Sequence, residues 1–344
     1  MAPTHLLVAN PTAQSGRGAE RIERAQHFLR YGGVQCALLP TLPGGGTVGA
    51  VKAAVEAGDY RVVIAMGGDG TFREVAAGLL DGGAGERVAL GMLPTGTAND
   101  QGKSFGLEAD EGAVERNVRV ILAGHETRLD AGRLEARDRG DGLVESAWFF
   151  DSAGFGITAR VLAVRNRDRE AVGRVPLLRQ IYRDQLVYAG AFVRTFLESY
   201  LFSDKFDALA FVDGEALELP GLTDLVIKNT RIYAGAWIFD RASRHDDGLF
   251  ELVPFHGKRD WTSKALLHHE ESPLDQAELA EVGIRQSPLY RFAHLELSFQ
   301  VPDGAAPLAA QIDGEEFPAT ARVTVAVRPR ALRLIVPAPG SAAP

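Results

Sequence analysis

Three polar, glycine-bearing segments contain the residues best suited to phosphate chemistry. They read NPTAQSGRG from residue 10, GGDGT from residue 67 and PTGTAND from residue 94. In GGDGT the glycines permit a sharp turn close to a ligand, and the start of the following helix favours an anionic phosphate. Asp69 cannot attract phosphate, so its functional role would be to hold Mg²⁺ against phosphate oxygens. A plain glycine turn with Asp69 as a helix cap explains the same residues equally well.

The letters GKS at residues 102–104 suggest a P-loop, but their spacing argues against one. A P-loop needs four residues between its first glycine and Gly-Lys-Ser, because that length curls the backbone N–H groups around phosphates. Here five residues separate Gly96 from Gly102, and Thr97 stands where the glycine should be. A dinucleotide-binding Rossmann motif is also disfavoured, since Gly68 and Gly70 are followed by Arg73 instead of a third glycine.

The elements that would position these segments alternate between strand and helix. HLLVANP, VQCALLPT, RVVIAMGG and RVALGMLPTGT have the pattern of strands, and the stretches between them have that of amphipathic helices. Such alternation predicts a parallel sheet covered by helices, whose ligand crevice lies beyond the carboxyl ends of the strands. The three polar segments fall at those ends and would build one phosphate-sized pocket.

After about residue 125 the sequence becomes strand-rich, with short alternating runs broken by Gly, Asp and Pro. This pattern predicts a second domain built as a β-sandwich. We therefore predict an α/β domain over residues 1–124 and a β-sandwich domain over residues 125–337. A helical insertion is expected at about residues 158–203, and residues 338–344 are expected to be disordered.

The second half contains further acidic turns. In AAQIDGEEF, Asp313 and Gly314 form a turn signal, and Glu315 would project from a strand end into the cleft. An ordinary Asp-Gly hairpin is the alternative, and FVDGEALEL shows a similar turn, in which Asp213 and Glu215 are expected to have no catalytic role. Asp130 in TRLDAGRL, taken alone, reads as a solvated turn carboxylate.

Five motifs in the same order carry a family resemblance. NPTAQSG, GGDGT, LPTGTAND, ASRHDDGLFELVPF and AAQIDGEEF together resemble the diacylglycerol kinase catalytic family, which includes sphingosine and ceramide kinases and bacterial soluble lipid kinases. The resemblance implies ATP and Mg²⁺ bound between the two domains and transfer of the γ-phosphate to diacylglycerol or a similar lipid. A sphingoid-base or ceramide kinase is the alternative, and a nucleotide-binding regulatory protein without catalysis is an alternative of another class. NAD kinase also carries GGDGT, but PTGTAND and the late DGE fit it poorly.

The resemblance also assigns roles to individual residues. Glu315 matches the general base that accepts the proton of the lipid hydroxyl, and Asp69, Asp100 and Asp130 match the acidic network around the active-site Mg²⁺. A second, structural Mg²⁺ would be bound by Asp247 and the backbone of Leu249, although a plain Asp-Asp-Gly turn explains that segment as well. The implied nucleotide contacts are Asn10, Pro11, Thr12, Ser15, Gly16, Thr41, Gly68, Gly70, Thr71, Glu74, Thr97 and Asn99.

Two departures from the family pattern concern lipid choice. The residues after PTGTAND read QGKSFGL, where an aromatic and small residues are common in the family, and Thr158 stands where an acidic residue is frequent. Neither touches the phosphate chemistry that the resemblance implies. Lipid specificity is therefore less well determined by the sequence than the reaction is.

Composition bounds the partners and the compartment. A net charge of −8 argues against a general nucleic-acid binder, since no excess of cations is available to neutralise phosphates. The lone Cys36 suits a reducing compartment, and neither a secretory signal nor an apolar stretch of spanning length is seen, so a cytoplasmic protein is expected. From Arg160 to Phe202, eight Arg face four acidic residues among apolar ones. This stretch could contact the inner face of a membrane transiently, or pack on the sandwich as a helical hairpin. The sequence leaves open whether the protein forms a homodimer.

Overall fold

The structure is a computed structural model that describes residues 3–12, 17–96, 99–110, 112–163, 205–233, 238–240, 242–257, 260, 288–301 and 308–340. The N-terminal part alternates strands and helices in three layers. Its strands are β1 (His5–Ala9), β2 (Cys36–Pro40), β3 (Val62–Gly67) and β4 (Ala89–Pro94). Its helices are α1 (Arg17–Tyr31), α2 (Gly46–Ala57), α3 (Asp69–Asp81), α4 (Asp100–Ser104) and α5 (Ala113–Ala123).

The four strands are parallel, in the order β2-β1-β3-β4. Successive strand residues point to opposite faces of a sheet, so the apolar strands need a helical cover on both sides. Alternate residues of β1 accordingly divide between two cores: Val8 packs with α2 and α3, and Leu7 packs with α1 and α5. The carboxyl ends of β1, β3 and β4 thereby come together at one edge, where the three polar segments begin.

The C-terminal part is a sandwich of two sheets. Its strands are β5 (Glu126–Arg137), β6 (Leu143–Phe149), β7 (Ser152–Gly156), β8 (Phe206–Val212), β9 (Glu215–Leu222), β10 (Asp224–Lys228), β11 (Phe250–Phe255), β12 (Tyr290–Phe292), β13 (His294–Gln300), β14 (Ala310–Ile312), β15 (Glu315–Phe317) and β16 (Arg322–Ile335). One sheet has the order β12-β11-β10-β7-β14-β15. It packs against the sheet of β5, β16, β13 and β8 through a core that includes Phe149, Phe155, Phe250 and Leu295.

The two parts share a sheet. The first half of β16 pairs with β13 in the sandwich, and its last residues pair with β4, Arg333 opposite Ala89 and Leu334 opposite Leu90. β5 runs antiparallel to β16 over nearly its whole length, with a register shift between Arg328 and Leu332. One continuous sheet therefore extends from β2 to β9.

The predicted fold class is confirmed: a parallel α/β sheet followed by antiparallel β sheets packed as a sandwich. The proposed division at residues 124 and 125 stays a prediction, and the end of β16 returns to the N-terminal sheet. Of the predicted helical insertion at about residues 158–203, residues 158–163 are helical, and the remainder lies outside the described part of the chain. Within the described residues, no helix is both long and apolar enough to span a bilayer.

Candidate functional site

Two glycine loops approach each other backbone to backbone at the ends of β3 and β4. A Cβ atom at Gly96 would lie 2.5 Å from the Cα of Gly68, closer than Cβ atoms come to a backbone atom in real proteins. Thr95 N–H also donates to the carbonyl of Gly67 at 2.8 Å. The approach explains why residue 96 is glycine and leaves little room for a side chain at residue 68, and it brings GGDGT and PTGTAND into one site.

Asn99 closes the second loop. Its side-chain Oδ1 accepts the N–H of Gly96 at 2.9 Å, and its Nδ2 donates to the carbonyl of the same residue at 2.8 Å. Its backbone is left-handed, with φ 54° and ψ 43°, a conformation that Asn tolerates better than most residues. Asn99 therefore shapes the turn that starts α4, which is a structural role beside its predicted nucleotide contact.

Asp69 and Asp100 lie together where α3 and α4 begin. Asp69 Oδ1 accepts the N–H of Gln101 at 3.2 Å, and the N–H groups of Asn99 and Asp100 also stabilise its carboxylate. Burial and the nearby charge of Asp151 nevertheless raise the pKa of Asp69. Asp100 is buried, its Oδ1 has no hydrogen-bond partner in the described part of the chain, and burial with the charges of Asp151 and Asp69 raises its pKa to about 7.

Glu315 reaches this site from the C-terminal part. It begins β15, and its Oε1 lies 2.8 Å from the position that a Cβ atom on Gly70 would occupy. Gly70 is the residue after Asp69 in the first turn of α3. The structure therefore places the predicted base beside the predicted phosphate loop, although the two are 245 positions apart in the sequence.

Asp313 fixes the hairpin that carries Glu315. Its carboxylate accepts the N–H of Phe150 at 2.9 Å, of Asp151 at 2.8 Å and of Ser152 at 3.0 Å. Burial raises the pKa of Asp313 to about 7, with a further contribution from the charge of Asp151. Phe150 in turn meets Phe72 of α3 edge to face, with ring centroids 5.9 Å apart. The hairpin, the 150–152 loop and the first turn of α3 thus form one wall of the site.

The remaining predicted nucleotide residues occupy the edge of the parallel sheet. Asn10 Oδ1 accepts both the N–H of Thr12, at 2.9 Å, and its hydroxyl, at 2.8 Å, so Pro11 lies in a tight polar turn after β1. Thr41 N–H donates to the carbonyl of Ala9 at 2.9 Å, which joins the ends of β1 and β2. Thr71 and Glu74 lie on the first turns of α3, and Ser15, Gly16 and Thr97 lie outside the described residues.

The Asp130 carboxylate is engaged by two backbone N–H groups. Although β5 carries it into the interior, its Oδ2 accepts the N–H of Gly248 at 2.7 Å and its Oδ1 that of Arg330 at 2.5 Å. Its pKa is raised by burial and by the neighbouring charges of Asp247 and Asp246. These contacts tie Asp130 to the 245–248 loop, so its place in a magnesium network with Asp69 and Asp100 stays a prediction.

The segment predicted to bind a second Mg²⁺ forms a turn. Asp247 is exposed, and its Oδ1 accepts the N–H of Leu249 at 3.1 Å. Among the residues that the structure describes, no group of three or more His, Cys, Asp or Glu side chains is arranged to hold a metal ion. Both magnesium assignments therefore stay predictions.

Sequence reasoning missed two buried residues of the site, Asp151 and Lys228. The Lys228 ammonium donates to Asp151 Oδ1 at 2.7 Å, and Lys228 is also an electrostatic neighbour of Asp100. A signal was present, because Lys228 ends DLVIK, a strand that is buried throughout and otherwise has a single charged residue, Asp224. A lysine at such a position needs a partner, and the strand pattern alone could not name it.

Sequence comparison finds a family match in the part of the chain that builds most of this site. Residues 4–134 match the family model of the diacylglycerol kinase catalytic domain. The predicted resemblance is confirmed over that segment. It contains the three polar segments, Asp69, Asp100 and Asp130, and it ends before Glu315.

Curated relatives match in the same region. A diacylglycerol kinase of Staphylococcus saprophyticus is 40% identical over 79 residues, which is 23% of this chain and 24% of the relative. A protein of Klebsiella pneumoniae named "Probable lipid kinase YegS-like" is 33% identical over 134 residues, 38% of this chain and 41% of the relative. The chain thus spans 24% and 41% of the length of these two relatives.

Solved structures extend the likeness of the fold to the whole chain. A diacylglycerol kinase from Bacillus anthracis superposes with a TM-score of 0.68 at 15% identity, covering 97% of both chains. Yeast NADH kinase complexed with NADH superposes with a TM-score of 0.52 at 8% identity, covering 99% of this chain and 85% of that one. At such identities the likeness concerns the fold alone.

Proposed function

We propose that this protein is an ATP- and Mg²⁺-dependent lipid kinase that transfers the γ-phosphate of ATP to a hydroxyl of diacylglycerol or a similar lipid. The observation that carries the proposal is the position of Glu315, whose carboxylate lies against Gly70 in the phosphate-loop candidate. In this position an acidic side chain of the C-terminal part and a loop of the N-terminal part can act on one substrate. The kinase-domain match over residues 4–134 supports the same reaction class.

The chain's own residues can divide the reaction between them. Backbone N–H groups at the start of α3 and the polar turns after β1 and β4 would bind the triphosphate, because helix starts and glycine turns favour anions. Glu315 would accept the proton of the incoming hydroxyl, and Asp313 would hold the Glu315 hairpin in place. Phosphoryl transfer depends mainly on positioning and electrostatics, so the orientation of Glu315 matters more than a high basicity.

The carboxylates of Asp69 and Asp100 lie close together and would be stabilised by a divalent cation bound between them. Burial and like charge raise the pKa of both groups, and Asp100 Oδ1 has no hydrogen-bond partner among the described residues. Oxygen ligands of this kind suit Mg²⁺, which when bound neutralises the charge that develops on the transferring phosphoryl group. We propose Asp69 and Asp100 as its carboxylates, with Asp130 as a further candidate.

The acceptor and the chemistry are tested together by a substrate panel. The protein is incubated with labelled ATP, Mg²⁺ and, separately, diacylglycerol, monoacylglycerol, sphingosine, ceramide, NAD and NADH. A labelled diacylglycerol product is expected; product from sphingosine or ceramide instead would select the alternative lipid. The absence of product from every acceptor would favour the regulatory nucleotide-binding protein.

Glu315→Gln tests the base. The variant keeps the shape of the side chain and removes its ability to accept a proton, so turnover should fall at least about a hundredfold. ATP binding, measured by calorimetry, should change little. Glu316→Gln is the matched control, because neighbouring strand residues face opposite sides and it should keep near-normal turnover. Full turnover by Glu315→Gln would refute the assignment.

Because the proposed acceptor is a lipid, the proposal includes contact between the protein and a membrane surface. The basic, apolar stretch from Arg160 to Phe202 lies almost entirely outside the described residues, so its sequence alone supports this contact. Neutralising Arg174, Arg179 and Arg183 together should reduce flotation with anionic liposomes. Unchanged flotation would remove this surface from the proposal and leave the catalytic assignment intact.

A further inference from the structure

A lysine, Lys228, is buried next to the candidate site. Lys228 is 3% exposed, and its ammonium donates to Asp151 Oδ1 at 2.7 Å and to the carbonyl of Ile232 at 2.8 Å. Thr230 donates its hydroxyl to the same oxygen of Asp151 and lies 3.5 Å from the ammonium. The pair is thus enclosed, and several of its donors and acceptors are used.

Such a pair is a poor source of stability. Removing two charges from water carries a large free-energy cost for each ion, and apolar residues of similar volume often stabilise a fold equally well. A buried pair instead fixes geometry, because separating its partners would leave each charge buried without a counter-charge. The question is therefore which elements Lys228 and Asp151 hold at a defined distance.

Lys228 is connected to α4. The carbonyl of Ile232 accepts from Lys228, and the N–H of Ile232 donates to Ser104 Oγ, in the last residue of α4, at 3.2 Å. The first residue of α4 is Asp100, and the Gln101 N–H holds the carboxylate of Asp69. The position of both acidic side chains therefore depends on a segment that Lys228 fixes.

Asp151 is connected to Glu315. Its backbone N–H and those of Phe150 and Ser152 donate to Asp313, two residues before Glu315 in the hairpin. Its carbonyl also accepts the N–H of Asn229, at 2.9 Å, which closes the contact between the 150–152 loop and the end of β10. The ion pair thus joins the support of Glu315 to the support of Asp69 and Asp100.

We propose that the buried Lys228–Asp151 pair is a positioning element for phosphoryl transfer, setting the distance between the Asp69–Asp100 carboxylates on one side and Glu315 on the other. This inference rests on the proposed kinase function. It assigns neither residue to substrate binding, and both act through the groups that they hold. Lys228 also places a positive charge near Asp100, which offsets part of the repulsion among the acidic side chains.

The test compares Lys228→Met, Asp151→Asn and the double variant. Lys228→Met leaves a buried carboxylate without a counter-charge and should lower Tm by about 5 °C or more. The double variant removes both charges and should regain at least half of that loss. Its kcat should nevertheless stay at least about tenfold below that of the wild type, since small displacements of reacting groups cost that much or more. Backbone hydrogen exchange of residues 100–107 should also be faster in the double variant than in the wild type.

Arg333→Met is the matched control, because it removes an ion pair of the same 2.7 Å length, with Glu126, on the strands outside the site. It should leave kcat and exchange at residues 100–107 unchanged. A double variant that regains kcat to within about twofold overturns the proposal, whatever its exchange shows. If the double variant does not fold, Asp151→Asn is judged by the same two measurements. Should the wild type phosphorylate no lipid, the kinase proposal fails, and exchange at residues 100–107 alone decides whether the pair holds α4.

Discussion

At the scale of single residues, Gly70 leaves the space into which Glu315 extends. A methyl group at this position would lie 2.8 Å from the carboxylate oxygen, so Gly70→Ala should displace Glu315 while keeping helix-compatible backbone. We expect kcat to fall by about tenfold or more, with a small change in Tm. Turnover of the purified variant and its melting curve measure the two effects.

Gly49→Ala provides the control for Gly70→Ala. Gly49 lies within α2, and nothing lies within 4 Å of a Cβ atom built there. Alanine is favoured over glycine in a helix interior by roughly 1 kcal/mol, so this variant should melt higher with unchanged kcat. Equal kcat in both variants would show that Glu315 need not occupy its observed position.

A substitution of Asp130 distinguishes a structural role of its carboxylate from a role in Mg²⁺ binding. If its carboxylate mainly clamps the 245–248 loop and Arg330, Asp130→Asn places an amide N–H₂ against a backbone N–H and should cost about 1–3 kcal/mol of stability. The Mg²⁺ concentration for half-maximal turnover should then stay near the wild-type value. A large rise in that concentration without loss of Tm would instead support the magnesium role implied by the family.

The sequence predicts which residues share the site where one motif contains them. It does not predict contacts between elements that are distant in the sequence. Gly68, Asp69, Gly96 and Asp100 lie together as the sequence suggested, because all four follow neighbouring parallel strands. The pairing of Lys228 with Asp151 depends on how β10 meets the 150–152 loop, 77 positions apart, and no periodicity encodes that. The insertion of Asp130 into the 245–248 loop was unpredictable for the same reason.

At the scale of elements, the apolar periods of the first hundred residues were sufficient to predict β1–β4 and α1–α3. The strand runs after residue 125 likewise predicted a sandwich. The path of β16 was not predictable, because its alternating pattern is satisfied equally well within the sandwich alone. Its last four residues instead lie beside β4 and β5, where Leu332 and Leu334 are fully buried in the core of the N-terminal part.

Leu334→Ala tests the consequence of that path. Truncating a fully buried leucine should cost about 2–5 kcal/mol, and because β5 and β16 belong to both parts, a single melting transition should shift as a whole. Calorimetry measures this. Leu38→Ala, on the partly exposed edge strand β2, should change stability by less than about 0.5 kcal/mol. Two transitions, of which only one moves, would show that the two parts unfold independently.

At the scale of the whole molecule, buried acidic groups predict how stability depends on pH. Glu251 is 3% exposed and accepts the Ser243 hydroxyl at 3.1 Å, and burial raises its pKa to about 7. Between the unfolded value and about 7, the folded state keeps a proton that the unfolded state has lost, so stability falls as pH rises through 7. Tm should therefore be lower at pH 8 than at pH 6.

Glu251→Gln isolates this contribution. Glutamine does not titrate, so the difference in Tm between pH 6 and pH 8 should shrink by about 2 °C or more. Glu296→Gln, at an exposed position on β13, should leave the difference unchanged. An undiminished difference in Glu251→Gln would mean that Glu251 is already ionised at pH 6.

The route of β16 also limits how the protein can be divided for experiments. The segment that matches the kinase domain ends at residue 134, whereas the strand that flanks β4 comes from residues 333–334. A fragment cut after residue 134 would expose β4, whose residues are buried throughout, as a bare hydrophobic edge. Such edges recruit strands from other molecules, so the fragment should aggregate on expression, and the N-terminal part is best studied with its distant C-terminal strand attached.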